Sequence, residues 1–198
     1  MTPPLTPAAP APNSTPAQTV GPFHGHALPF ADGGAPAPSG HPRTVTVHGT
    51  VLDGAGAPVP HALLEFWQTG PDGSAPAVPG SLRRDGLGFT GFARVTTGRD
   101  GHYLLRTLPP GGAPYLAVCL FARGLPHHLF TRLYFTLPTH DPLLAALPAD
   151  RRPTLLATPD PGHHRAYRFD IRLQGDRETV FLDFTETLSH PDADHGDV

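Results

Sequence analysis

With 198 residues, 38% of them hydrophobic and 16% charged, and with 22 glycines and 27 prolines, the chain has the size of one domain and the punctuation of a turn-rich β protein. A net charge of −3, with 14 scattered basic residues, gives no electrostatic footprint for nucleic acid, and the single cysteine excludes an intrachain disulfide. No stretch reaches transmembrane length, and the first residues show neither the basic nor the apolar region of a signal peptide, so the cytoplasm is the expected location.

Residues 1–18 are Pro, Ala and Thr with almost nothing large to bury, which predicts a disordered arm. Residues 19–43 open with Thr19-Val-Gly-Pro22 and His24-Gly-His26, return to Pro, Gly and Ala, and read as extended loop. A β domain is expected over 44–188, followed by a flexible tail at 189–198. Within it, Val45, Val47 and Val51 alternate with polar residues, the period of a strand with one buried face. The Asp53-Gly-Ala-Gly56 turn and the prolines 58 and 60 lead back into Ala62-Leu-Leu-Glu-Phe-Trp-Gln68, so the two runs read as a hairpin-like unit. Residues 93–97 and 102–107, joined by Gly98-Arg-Asp-Gly101, predict a second hairpin.

Further strands are expected at 115–121, 131–135, 167–173 and 179–184. In the third of these, Tyr167, Phe169, Ile171 and Leu173 alternate strictly with charged residues, as in a half-buried antiparallel strand. Only residues 141–147 look helical, with Asp141 as N-cap and Pro142 at the first helical position. Eight or so short strands separated by turns predict an all-β fold, a two-sheet antiparallel β-sandwich with long loops.

A sandwich does not decide function, so the candidate chemistry must come from side chains. Three histidine pairs stand out: His24 with His26, His127 with His128, and His163 with His164. Only the first has the alternate spacing that puts two imidazoles on one side of extended chain, and a Gly-rich loop offers it no rigid platform. Cys119 lies in the apolar run 115–121 and reads as core packing rather than as a nucleophile. Asp183 and Glu186 read as a solvated edge. There is no Gly-x-Ser-x-Gly elbow and no phosphate-binding Gly-rich loop, which excludes the common hydrolase and nucleotide-binding signatures.

Several blocks nevertheless resemble the intradiol dioxygenase family: Val47-His-Gly-Thr-Val-Leu-Asp53, Pro58-Val-Pro-His-Ala-Leu-Leu-Glu-Phe-Trp-Gln68, Asp100-Gly-His-Tyr103 and Tyr167-Arg-Phe-Asp-Ile-Arg-Leu-Gln-Gly175. Thr19-Val-Gly-Pro22, Phe121-Ala-Arg-Gly-Leu125 and Glu178-Thr-Val-Phe-Leu-Asp-Phe184 resemble its alpha-type rather than its beta-type chains. The resemblance spans most of residues 18–184. It implies non-haem Fe(III) bound by two tyrosines and two histidines in the catalytic chains of the family. Here Ala75 stands at the first tyrosine position and Tyr115-Leu-Ala117 where the histidines belong. The other tyrosines, Tyr103, Tyr134 and Tyr167, fall on strand positions that suit packing.

The implied protein is therefore a heteromer subunit: a beta-type partner chain holds the Fe(III), and this chain helps close a site where protocatechuate is opened by O2 between its hydroxylated carbons. Thr19, Gly21 and Pro22 match positions lining the substrate cavity, or serve as an interface strap. Arg123 matches an arginine at the cavity mouth, where it would face the substrate carboxylate or a partner carboxylate. Two alternatives stand beside this reading: a non-enzymatic β-sandwich binding or scaffold module, and a single-chain dioxygenase with iron relocated to His24 and His26.

Overall fold

The computed structural model describes residues 15–76, 82 and 84–184, so most of the N-terminal arm and the tail at 189–198 lie outside the described residues. Among the described residues nine strands carry the fold: β1 Val45–Leu52, β2 Leu63–Trp67, β3 Phe92–Thr96, β4 His102–Thr107, β5 Tyr115–Phe121, β6 Leu129–Tyr134, β7 Thr158–Pro159, β8 Ala166–Arg168 and β9 Ile171–Arg172. Two sheets result, one of five strands in the order β4-β1-β8-β7 with β9 also on β1, the other of four in the order β3-β2-β5-β6. The expected two-sheet β-sandwich is what forms. Strict alternation explains it: β1, β4 and β5 each bury every second residue. Val47, Val51 and Leu105 from one sheet thereby meet Leu64, Phe66, Leu116, Val118 and Leu120 from the other in a single core. Burial of each such side chain contributes roughly 1.5–3 kcal/mol before entropy is counted.

Both expected hairpins are corrected. β1 and β2 lie in different sheets, as do β3 and β4, so each turn carries the chain across the sandwich. The turn at residues 98–101 closes as the sequence implies, with Gly98 N–H donating to His102 O at 2.9 Å. Turn chemistry sets a chain reversal; the pairing partner is set by which sheet each apolar face completes.

The run 167–173 is also corrected. It splits into β8 and β9, and both pair parallel to β1. The break falls at Phe169, whose carbonyl accepts the buried Tyr103 hydroxyl at 2.7 Å while the Asp170 carboxylate accepts Thr50 N–H at 3.0 Å. Gly49 permits this approach, since a Cβ there would stand 1.9 Å from Phe169 O.

Residues 179–184 form no ladder, only an isolated bridge from Leu182 to Phe130. Hydroxyls take the places of strand partners: Thr131 donates to Val180 O at 2.7 Å, and Thr154 accepts Val180 N–H at 3.2 Å. The short helix α2, Pro142–Ala146, starts as expected, with Asp141 accepting Leu143 and Leu144 N–H groups. It packs Leu144 with Tyr134, Leu155 and Val180 in a second, smaller apolar cluster.

Residues 24–27, read as extended, form a single helical turn, α1 His24–Ala27. Gly25 lies against His61 there, so closely that a Cβ would meet His61 Cβ and O at 3.2 Å. Cys119 is not in the core. It lies half-buried on the face of β5 opposite Leu116, Val118 and Leu120. Burial, with Glu65 nearby, pushes its thiol up to about 12, so it is held un-ionised.

Candidate functional site

The N-terminal segment and two loops meet at one end of the sandwich. Thr19 joins them: its hydroxyl accepts Gly124 N–H at 2.8 Å and lies 3.5 Å from Ala122 O, which accepts from it. This fastens residue 19 to the loop after β5, on which Arg123 is exposed. The opposite wall is the turn before β2. Thr97, buried, accepts Ala62 N–H at 2.8 Å and donates to Val59 O at 2.7 Å, while His61 N–H donates to Thr97 O at 3.1 Å. Between the walls lies a cavity of about 400 Å³ lined by Thr19, Val59, Pro60, His61, Arg123 and Gly124. No carboxylate is among these residues, and among the described residues none pairs with Arg123. A cavity with a guanidinium and an imidazole and no counter-charge is chemically suited to an anion.

Gly21 and Pro22 are exposed and are not among the lining residues of this cavity. Gly21 instead organises α1: its carbonyl accepts His24 N–H at 3.3 Å and the His24 Nδ1–H at 2.9 Å. That leaves His24 Nε2 buried without a hydrogen-bond partner among the described residues. His26 places its ring 5.1 Å from His61. Two residues of this site escaped the sequence reading, His61 and Thr97. His61 sits in a left-handed backbone conformation, φ 58°, and nothing in its neighbours' identities announces that.

A ferric centre needs anionic oxygen ligands beside imidazoles. Tyr103 is in the core, where burial and then Asp170 hold its phenol well above the ordinary value. Tyr134 donates to Asp141 at 2.9 Å, and burial pushes its phenol up to about 12. Tyr115 lies under the Arg132 guanidinium, 4.0 Å from its ring centre, and Tyr167 stands edge-on to Phe135 at 4.8 Å. Ala75 is exposed in a loop, and Ala117 pairs with Trp67 and Arg132. Among the described residues no three of His, Cys, Asp and Glu come together to hold a metal ion. The phenols of Tyr103 and Tyr134 are held protonated, and Tyr115 and Tyr167 are engaged with Arg132 and Phe135, so these residues do not fit Fe(III), and a relocated site at His24 and His26 has no tyrosinate to complete it. Glu186 lies outside the described residues.

Comparison with known proteins decides the class of this fold. A family profile described as Dioxygenase matches residues 20–120. The protocatechuate 3,4-dioxygenase alpha chain of Burkholderia cepacia is 40% identical over 192 residues, covering 85% of this chain and 96% of that one. The chain belongs to the intradiol ring-cleavage dioxygenase family. The beta chain from the same organism is 30% identical over 159 residues, covering 66% of this chain and 64% of that one. Similarity therefore runs further and deeper to the alpha type. Among solved structures, the dioxygenase domain of a dioxygenase carbohydrate-binding protein fusion from Streptomyces sp. SirexAA-E superposes with a TM-score of 0.52 at 27% identity, over 87% of this chain and 100% of that domain. Membership of this family fixes the enzyme class as aromatic ring-cleaving dioxygenases, and among the described residues no helix is long and apolar enough to cross a membrane.

Proposed function

We propose that this chain is the alpha-type, non-iron-ligating subunit of a protocatechuate 3,4-dioxygenase, working in the cytoplasm with a beta subunit that holds the non-haem Fe(III). The reaction is ring opening of protocatechuate by O2 to 3-carboxy-cis,cis-muconate, in which both oxygen atoms enter the product and no reductant is consumed. The observation that carries the reading is the carboxylate-free cavity in which Thr19, hydrogen-bonded to Gly124, brings the N-terminal segment against Arg123. The buried, protonated phenols of Tyr103 and Tyr134 support assigning the metal to the partner.

On this reading residues 19–43 form the rim and partner-facing segment, and 44–188 form the body of the subunit. Arg123 binds the substrate carboxylate, an interaction that catechol lacks and that a dry site makes discriminating. Thr19 holds the wall, and Gly21 and Pro22 extend it toward the partner chain, with Pro22 limiting backbone freedom. The test is to purify the chain alone and after co-expression with a beta-type chain. Iron, the visible tyrosinate-to-Fe(III) band and protocatechuate turnover are expected only in the complex. Stoichiometric iron and the band in the lone chain would overturn the assignment.

A further inference from the structure

The backbone conformation of His61 is a costly one that its surroundings enforce. Its φ of 58° is one that a residue with a Cβ takes at a cost and that glycine or asparagine takes more readily. Such outliers persist where the surroundings over-determine them, and they gather at functional sites. Here the surroundings do so from three sides. Thr97 O accepts the His61 N–H at 3.1 Å, and the Thr97 hydroxyl ties down Val59 O and Ala62 N–H on either side. Gly25 presses against His61 Cβ and O, and His26 stands against the imidazole. What this costly arrangement achieves is the placement of an imidazole on the wall of the cavity that also holds Arg123.

We propose that His61 is a specificity-determining residue of this cavity, presenting its imidazole as a second hydrogen-bond donor, beside Arg123, to the carboxylate of an aromatic acid. The inference rests on the proposed function and adds a residue to it. A carboxylate has two oxygens and room for several donors, and the cavity offers it two cationic or N–H-bearing side chains with no competing acid. His61 acts on binding and not on the ring-opening step, so its removal is read in KM rather than in kcat.

The test uses the full chain assembled with a beta-type partner. His61→Asn and His61→Gly both suit a left-handed backbone and keep the turn, while both remove the imidazole. Each is expected to lower kcat/KM for protocatechuate about tenfold more than for catechol, mainly through KM, as loss of a hydrogen bond to a charged group predicts. An unchanged protocatechuate-to-catechol ratio in both variants, in a complex that opens protocatechuate, overturns the role of His61 and leaves the proposed function standing. A wild-type complex, loaded with iron, that does not open protocatechuate overturns the proposed function and the role of His61 together.

Discussion

Two of the histidine-bearing regions among the described residues contrast, and the difference shows what makes a surface receptive. In the first, His48, His102, His163 and His164 line a cavity with Asp160, where His48 Nε2 lies 2.9 Å and His163 Nδ1 3.4 Å from the same carboxylate oxygen. The Asp160 carboxylate thus faces two of those imidazoles as a counter-charge. In the second, His61 and Arg123 face a cavity without an acid, and the turn that carries His61 is tied to the core by the buried Thr97. The first region is electrostatically closed, and the second is open to an incoming anion. What makes the second receptive is the missing counter-charge.

The contrast breaks most severely at Thr97. Thr97→Val keeps the shape but strands the buried Ala62 N–H, at about 1–3 kcal/mol for a buried group left unpaired, and removes the donor to the part-buried Val59 O. Denaturant unfolding is expected to show that loss, together with weaker discrimination for protocatechuate over catechol in the assembled enzyme. A stability unchanged within error would mean that the turn is held by something other than this hydroxyl.

Next in size is Arg123→Ala. The guanidinium is exposed and partnerless among the described residues, so the lone chain should unfold as wild type does. In the complex, KM for protocatechuate is expected to rise by roughly tenfold to a hundredfold, the worth of a charge-assisted hydrogen bond. If the complex instead fails to assemble, the arginine meets a partner carboxylate and not the substrate.

Smaller still is Thr19→Val. It removes the exposed hydrogen bond from Gly124 N–H, worth about 0.5–1.5 kcal/mol, and the longer one to Ala122 O. Amide exchange at Gly124 should quicken while global stability stays put. The smallest effect belongs to the closed region. The Gly162 N–H, with His48 and His163, holds the Asp160 carboxyl below its ordinary value. A depressed folded value means that the stabilisation is present above the ordinary carboxylate range and is lost as pH falls through the folded value. Asp160→Asn should therefore flatten the acid limb of an unfolding-versus-pH profile and leave protocatechuate discrimination untouched. A change in that discrimination would erase the distinction between the two regions.

The run at 45–51 was legible because alternation of apolar residues is the direct requirement of a strand with one buried face, and 102–107 and 115–121 were legible as short runs bounded by turn residues. The helix at Pro142–Ala146 was legible from Asp141 and Pro142, whose chemistry is local. Of the site, Thr19 and Arg123 could be found from their blocks of sequence, since each sits in a run that resembles the alpha-type chains of the family. Family and chain type were thus properties of the sequence itself.

Tertiary structure alone decided the rest, because it depended on contacts between distant residues. Whether two runs joined by a turn became a hairpin or crossed the sandwich depended on which sheet needed each apolar face, and β1 with β2 crossed. The break in 167–173 followed from a hydroxyl 66 residues away, that of Tyr103, reaching Phe169 O, and from the absence of a Cβ at Gly49. The left-handed conformation of His61 came from Thr97 and Gly25, which no local pattern connects to it. Local propensity and periodicity set which segments are strands; only long-range packing could set which strand lies beside which, and so which imidazole faces Arg123.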